Sequence, residues 1–340
     1  AAGLVSVKRA SSGTLVRAIR VARVCLLALL VLGLVLGAAG CLPGSGQVAG
    51  PALMGPGAGQ AGREPGQGWQ PGQAAVHFLD VGQGDSILVQ FPSGFTMLID
   101  GGSREAGPGV VEYMRSQGIR RLDALVVTHG HEDHVGGLPA VISSFPVGRA
   151  YLYPGEHTTA AYESLLRALV REKVPVTRAK AGTVIRQEGG QEGQPAGVSG
   201  KGPATRAVVL GPLKEYDEQN DCSLVVRLGV GRVVFLFTGD ASGVVEADMM
   251  AAGAEVDADV LKVGHHGSAT STSAAFLRAV SPRWAVISVG KDNPFGHPAS
   301  SVLRRLSRAG ATVYRTDRSG TVVFFTDGRE VWIRTERNGE

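Results

Sequence analysis

Cysteine is scarce in these 340 residues: there are three, at Cys25, Cys41 and Cys222. Two lie within the first 41 positions, so Cys222 has no partner in the rest of the chain and no intramolecular disulfide is expected there. Stability must then come from core packing and, where a metal binds the folded state alone, from that metal. A strong charge of one sign is also missing. The formal net charge is +4, but Lys8, Arg9, Arg17, Arg20 and Arg23 precede Cys41 with no acidic residue among them, which leaves the remainder at −1. The basic balance therefore reflects targeting and excludes a generally basic nucleic-acid surface. The apolar run over residues 24–39 is shorter than the ~20 residues of a comfortable membrane span.

That run follows the basic cluster, which is the layout of a secretory signal. It ends in Ala38-Ala39-Gly40-Cys41, which resembles the bacterial lipoprotein box with Cys41 as the lipidated residue. Ala38 departs from the Leu usual there, so a plain signal peptide and an uncleaved anchor remain as alternatives. Residues 42–73 are dense in Gly, Pro, Ala and Gln, a composition that buries too little apolar surface to offset chain entropy. They read as a flexible tether, and residues 74–340 read as the folded domain.

Within that domain the most informative stretch is Thr128-His129-Gly130-His131-Glu132-Asp133-His134, at the end of the strand-like run Leu122–Val127. Three imidazoles and a carboxylate so close together are costly to bury without a cation, and zinc and similar divalent ions accept this mixture of ligands. Strand tips carry the other candidates. Asp240 follows the apolar run 233–237, with an N-cap of the next helix as its plainer reading. His265 and His266 follow the run 258–263; on an extended backbone adjacent side chains diverge, so only one of them is expected at a metal. His297 lies on a loop beside Pro298, as a proton donor, a phosphate contact or a helix-entry residue.

The histidine-rich heptapeptide is the signature of the metallo-β-lactamase superfamily. Phe78–Ser86, Thr238-Gly239-Asp240, Leu261–Ser268 and Gly296-His297-Pro298 narrow the resemblance to the extracytoplasmic metallo-hydrolase domain of ComEC-type DNA-uptake proteins, over roughly residues 75–336. The resemblance implies an α/β fold, the four-layer αββα sandwich. It implies two divalent metal ions, zinc with manganese or iron as alternatives, held by His129, His131, Asp133, His134, Asp240 and one of His265 and His266. Asp240 would bridge the two. Asp133, His297 and Lys262 are then the catalytic candidates, and Gln83, Asp85 and Ser268 the substrate-binding ones, although turn geometry explains the glycines beside Gln83 equally well. Many superfamily hydrolases place a further metal-binding histidine between the cluster and Asp240. Here the intervening histidine is His157, which reads as a loop residue, and Asn220-Asp221-Cys222-Ser223 stands at the corresponding place.

The chemistry implied is hydrolysis by attack of a metal-bound hydroxide on a phosphodiester. Three readings follow: a membrane-tethered nuclease or phosphodiesterase acting on extracellular DNA, a hydrolase of another cell-surface phosphoester, or a metal-containing module that binds DNA without cleaving it. β-Lactam hydrolysis ranks below these. The multi-span channel that accompanies the domain in ComEC-type proteins has no counterpart in the sequence, so DNA translocation by this chain alone is not expected. A cluster of arginines, Arg304, Arg305, Arg308, Arg315 and Arg318, offers a local patch for a nucleic acid, with a solvated helix face as its plainer reading.

Overall fold

The structure is a computed structural model that describes residues 68–155, 159–188 and 202–338. Cys41, the signal-like segment, most of the tether and His157 lie outside the described residues, as does most of the polar 187–202 stretch.

Two sheets organise the domain. The first contains β1 (Ala74–Phe78), β2 (Ile87–Gln90), β3 (Thr96–Ile99), β4 (Leu122–Val127), β5 (Val147–Leu152), β6 (Val176–Arg178), β14 (Val322–Thr326) and β15 (Val331–Thr335). Their spatial order is β15-β14-β1-β2-β3-β4-β5-β6. The second runs β13-β12-β11-β10-β9-β8-β7. Its strands are β7 (Val184–Glu188), β8 (Thr205–Gly211), β9 (Val225–Val230), β10 (Val233–Phe237), β11 (Val260–Lys262), β12 (Trp284–Ile287) and β13 (Thr312–Arg315).

Continuous apolar runs, as opposed to alternating ones, require cover on both faces of a strand. In β10, Val233, Phe235 and Phe237 join a core between the sheets with Phe78, Val89, Ile99 and Val126, while Val234 and Leu236 face the other way. In the first sheet the outward set, Leu88, Leu98, Leu125 and Val127, packs under α1 (Gly107–Ser116), α3 (Leu138–Ser144) and α4 (Ala160–Arg171). Outside the second sheet lie α5 (Gly243–Ala251), α6 (Ala274–Val280) and α7 (Ser300–Arg308), which bury Val245, Met249, Phe276, Leu277, Val302 and Leu306. Helix, sheet, sheet, helix is the expected αββα sandwich. Two short helices, α2 (Glu132–Val135) and α8 (Thr316–Ser319), complete the α-helices among the described residues.

The direction of the strands decides where chemistry can sit. β3, β4 and β5 are parallel to one another, and so are β10, β11 and β12. Carboxyl ends of such strands release the chain into loops, where ligands of open α/β sheets are usually held. The tips of β3, β4, β10 and β11 release Asp100, the 128–134 stretch, Asp240 and the 264–268 turn. A backbone bond from Leu224 N–H to Thr128 carbonyl, 2.9 Å, ties the two halves together at this edge.

Candidate metal centre

Asp240 Oδ2 is the hub. It stands 3.4 Å from His134 Nε2, 3.4 Å from His266 Nε2, 3.7 Å from His265 Nε2 and 4.0 Å from His129 Nε2. Asp133 Oδ2 lies 3.2 Å from His266 Nε2 and 3.9 Å from His134 Nε2. His129 Nε2 and His131 Nδ1 face each other at 3.0 Å. Ligand atoms bonded at ~2.0–2.2 Å to one tetrahedral ion stand roughly 3.3–3.6 Å apart, so these spacings suit shared cations. The N-cap of α5 is Ser242, whose hydroxyl accepts from Val244 N–H, so Asp240 is not needed for the plainer role.

The outward nitrogens of the rings show which way the inner ones are primed. His134 Nδ1 donates to Asp100 at 2.8 Å, and His266 Nδ1 donates to the Ser288 carbonyl at 3.0 Å; both partners can only accept. Thr128 Oγ1 gives its proton to Asp100 at 2.6 Å and so accepts from His129 Nδ1 at 3.1 Å. Each ring therefore turns Nε2 towards Asp240, the orientation that partners behind metal-ligating histidines impose. Among the described residues, His134 Nε2, His266 Nε2 and Asp240 Oδ1 are buried polar atoms without a hydrogen-bond partner. Buried orphans of this kind call for an ion or water, and the groups His129–His134–Asp240 and Asp133–His134–His266 each bring three donor atoms to one place. The residues fit divalent metal.

Electrostatics agree. Burial opposes charge on His134, but the Asp240, Asp133 and Asp100 carboxylates hold it well above the usual imidazole range. Burial likewise opposes charge on His266, yet Asp240 and Asp133 push it up to about 9. Burial would raise Asp240 and Asp133, but His266 and His134 hold the first far down and His134 with His266 the second. Positive charge is favoured at this centre, and protons and metal compete for the same nitrogens.

Between the adjacent histidines the structure discriminates. The backbone is not extended there: His265 has φ 49 and ψ 51, His266 φ 52 and ψ 21. This left-handed conformation is sparsely used by residues with a side chain and concentrates at functional sites. It buries His266 among the donor groups and leaves the His265 side chain 26% exposed on the cleft wall.

A cleft of about 320 Å³ opens over the centre, lined by Gln83, His131, Glu132, Asp133, Asn220, Asp240, His265, His266, Phe295 and His297. Three residues expected at the substrate lie elsewhere. Lys262 is fully buried beneath the centre, with Nζ 2.6 Å from Asp85 and donating to the Gly239 carbonyl at 3.2 Å. Its position two residues after Val260, which faces the inter-sheet core, sends the amine between the sheets and not into the cleft. Asp85 is buried with it. Ser268 is buried and its hydroxyl meets Thr270 at 3.0 Å. Gln83 does line the cleft, but its Oε1 accepts from Gly290 N–H at 3.1 Å, which ties two loops. The neighbouring Gly84, φ 136, presses on Asp133: a Cβ there would stand 2.2 Å from the Asp133 carbonyl oxygen.

Asp100 is the residue that sequence reasoning missed, and within the 220–223 stretch that it did single out, Ser223 was given no role of its own. Asp100 is wholly buried at φ 57 and accepts from Thr128 N–H at 2.8 Å besides the bonds above. Ser223 Oγ accepts from Asp240 N–H at 3.0 Å and lies 3.3 Å from His129 Nδ1. Asp221 accepts from Ser242 N–H at 2.9 Å. The 220–223 stretch thus builds the centre. Asn220 adds a buried, unpartnered Oδ1 on a residue of the cleft wall, and Cys222 is buried with its thiol towards the Tyr216 carbonyl.

The chain is similar to several known proteins. The chain is 31% identical over 270 residues to ComE operon protein 3 of Bacillus subtilis, covering 74% of this chain and 33% of that protein. It is 33% identical over 254 residues to competence protein ComA of Neisseria gonorrhoeae, covering 74% of this chain and 32% of that protein. The chain spans about a third of the length of the curated relatives it matches. The solved metallo-beta-lactamase fold protein YhfI of Bacillus subtilis is 12% identical at a TM-score of 0.45, over 76% of this chain and 99% of that one. The expected resemblance to ComEC-type competence proteins is thus borne out. The model of the metallo-beta-lactamase superfamily matches residues 79–291, and the chain belongs to that superfamily.

Proposed function

We propose that the domain is a metal-dependent phosphodiesterase that cleaves DNA outside the cytoplasm, in the service of competence. The observation that carries this reading is Asp240 Oδ2, placed within 4.0 Å of Nε2 of His129, His134 and His266 under an open cleft. One carboxylate so placed can serve two cations at once, in the manner of two-metal phosphoester hydrolases. Similarity to proteins of competence directs the substrate towards DNA.

Two divalent ions, zinc in preference to manganese or iron, would supply Lewis acidity and lower the pKa of water at the site. His129, His131 and Asp240 would hold the first, and Asp133, His134, His266 and Asp240 the second. The chain does the rest. Asp100, Thr128, Ser223 and Ser288 fix the ring orientations, and Lys262 balances the carboxylates of Asp85 and Asp240 from below. On the cleft wall the His265 and His297 rings lie 5.7 Å apart; burial holds both below the usual imidazole range, so their neutral N–H groups would hydrogen-bond the phosphoryl oxygens. Cys41 anchors the domain to the membrane through lipid, and the tether sets its reach.

The experiment is metal analysis of the purified domain with activity on single-stranded DNA and a small phosphodiester, for the wild type and Asp133→Asn. That variant is expected to lose metal-dependent hydrolysis of both while its thermal transition persists, because the side chain keeps its shape and loses its charge. Wild-type protein that holds two metals, binds DNA and cleaves neither substrate would establish a binding module. Cleavage of the small phosphodiester without affinity for DNA would establish a surface phosphoesterase.

A further inference from the structure

Phe295 is a large apolar side chain left in water, 65% exposed at the lip of the cleft. Isolated exposed rings are ordinary on protein surfaces, but this one is held outward by a braced loop. Asn293 Oδ1 accepts from Phe295 N–H at 3.2 Å and from His297 N–H at 3.0 Å. Its Nδ2 donates to the carbonyls of Gly290 at 3.0 Å and His297 at 2.7 Å. At the start of the loop, Gly290 is bonded to the Gln83 side chain, and a Cβ there would stand 2.6 Å from Gln83 N. The loop therefore has little freedom to fold the ring onto the core.

The ring lies nearly parallel to His297, at 25° with centroids 5.8 Å apart. His297 meets His265 at 5.7 Å, and His265 meets His266 at 6.0 Å. A row of aromatic rings thus leads from solvent down to the carboxylate hub. Stacking on such rings is tolerant of sequence because every base has a π-face, and it acts alongside charge attraction to the backbone. In a chain that carries −1 beyond its first 41 residues, that attraction has to be local, at the metals or a small basic patch.

We propose that Phe295 is the stacking platform for an unpaired nucleobase next to the phosphodiester in the cleft, which makes the substrate DNA that is single-stranded at the point of cleavage. The proposal rests on the phosphodiesterase reading above and adds the strand state it selects. A paired base is already stacked on both faces and must be unstacked before a side chain can take a face. An unpaired strand offers that face without the cost.

The test uses the metal-loaded protein, as wild type, Phe295→Ala and Phe295→Trp, on three substrates: a short single-stranded oligonucleotide, the same strand with abasic residues around the scissile position, and a duplex. Wild-type protein is expected to prefer the base-bearing single strand. Phe295→Ala is expected to raise KM for that strand about 5- to 150-fold, in line with one lost stacking contact, with a smaller fall in kcat. Phe295→Trp is expected to retain wild-type KM, and the loss in Phe295→Ala to shrink below about twofold on the abasic strand, where no stacking contact remains to be lost. An equal loss on base-bearing and abasic strands, or no loss on either, overturns the platform alone. A wild type that cleaves none of the three overturns the phosphodiesterase reading and this inference together.

Discussion

His134 Nδ1 and the Asp100 carboxylate meet at 2.8 Å with both side chains wholly buried. Asp100 also takes two bonds from Thr128, so a single carboxylate sets the tautomers of His134 and, through the Thr128 hydroxyl, of His129. Asp100→Asn keeps the shape but puts an amide N–H or a neutral oxygen where a charged acceptor stood. Metal affinity is expected to fall about 10–100-fold, the usual effect of losing such a supporting partner. A competition titration against a chelator measures this; unchanged affinity would mean that Asp100 serves only the fold.

Beneath the centre, Lys262 and Asp85 form an ion pair at 2.6 Å with side chains no more than 2% exposed. A buried pair adds little net stability, but breaking it strands the remaining charge. Lys262→Met is expected to lower the free energy of unfolding by about 3–5 kcal/mol. In the double variant Lys262→Met/Asp85→Asn much of that loss should return, because the stranded carboxylate is gone. Denaturant titration of the metal-free single and double variants decides it; additive losses would show that the two residues act separately.

Legibility in the sequence followed burial and strand length. β10 and β4 were readable because both faces are covered, so their apolar residues run together. The short edge strands β6, β7 and β13 were not, since their exposed, partly charged sequences carry neither an apolar run nor strict alternation. Of the residues at the candidate centre, the 129–134 cluster announced itself by local density. Asp100 did not, because its partners lie 28 and 34 positions along the chain and meet it only through parallel pairing of β3 with β4. The 265–266 turn departs from the extended backbone its apolar lead-in suggests, since nothing local dictates two consecutive left-handed residues. Lys262 could have been placed by period-two alternation from Val260, which points it between the sheets.

His77 gives the domain an acid sensitivity of its own. The ring is buried between Gln90 Oε1 at 3.0 Å and the Tyr113 hydroxyl at 2.9 Å. Burial, with Arg334 assisting against the Gln90 bond, lowers its pKa from 6.5 to about 4. The unfolded chain therefore takes up a proton near pH 6.5 that the folded chain refuses until about pH 4. Stability is full above 6.5 and falls across that window, by about 3 kcal/mol in all at ~1.4 kcal/mol per unit. His77→Phe should be less stable at pH 7, where Gln90 and Tyr113 lose a partner, but its stability should decline less steeply between pH 6.5 and 4. Every other ionisable group is common to both proteins, so the difference between the two slopes isolates His77. Parallel slopes would contradict the assignment.

The arginine patch near the C-terminus divides into two kinds of residue, and the division can be measured. Arg305 donates to the carbonyls of Thr272 and Ser271, both at 2.8 Å, and Arg315 forms a two-pronged pair with Asp317 at 2.9 and 2.6 Å. Both are committed to the fold. Arg304, Arg308 and Arg318 are exposed, and Arg304 donates to the Ser300 hydroxyl at 3.1 Å. If the three exposed guanidinium groups contact phosphates, replacing all three by Glu should weaken binding of a long single strand. It should also flatten the slope of log K against log salt by about 2, from roughly 0.7 per lost contact. Turnover of a small phosphodiester should stay near wild type, since none of the three lines the cleft. Arg305→Ala should do the reverse, loosening the 269–272 loop and lowering stability by about 1–3 kcal/mol through unpaired carbonyls while leaving the salt slope unchanged. Fluorescence anisotropy over a salt series, with denaturant titration alongside, separates the outcomes; an unaltered slope in the triple variant would move DNA contact away from this face and onto the metals and the aromatic wall.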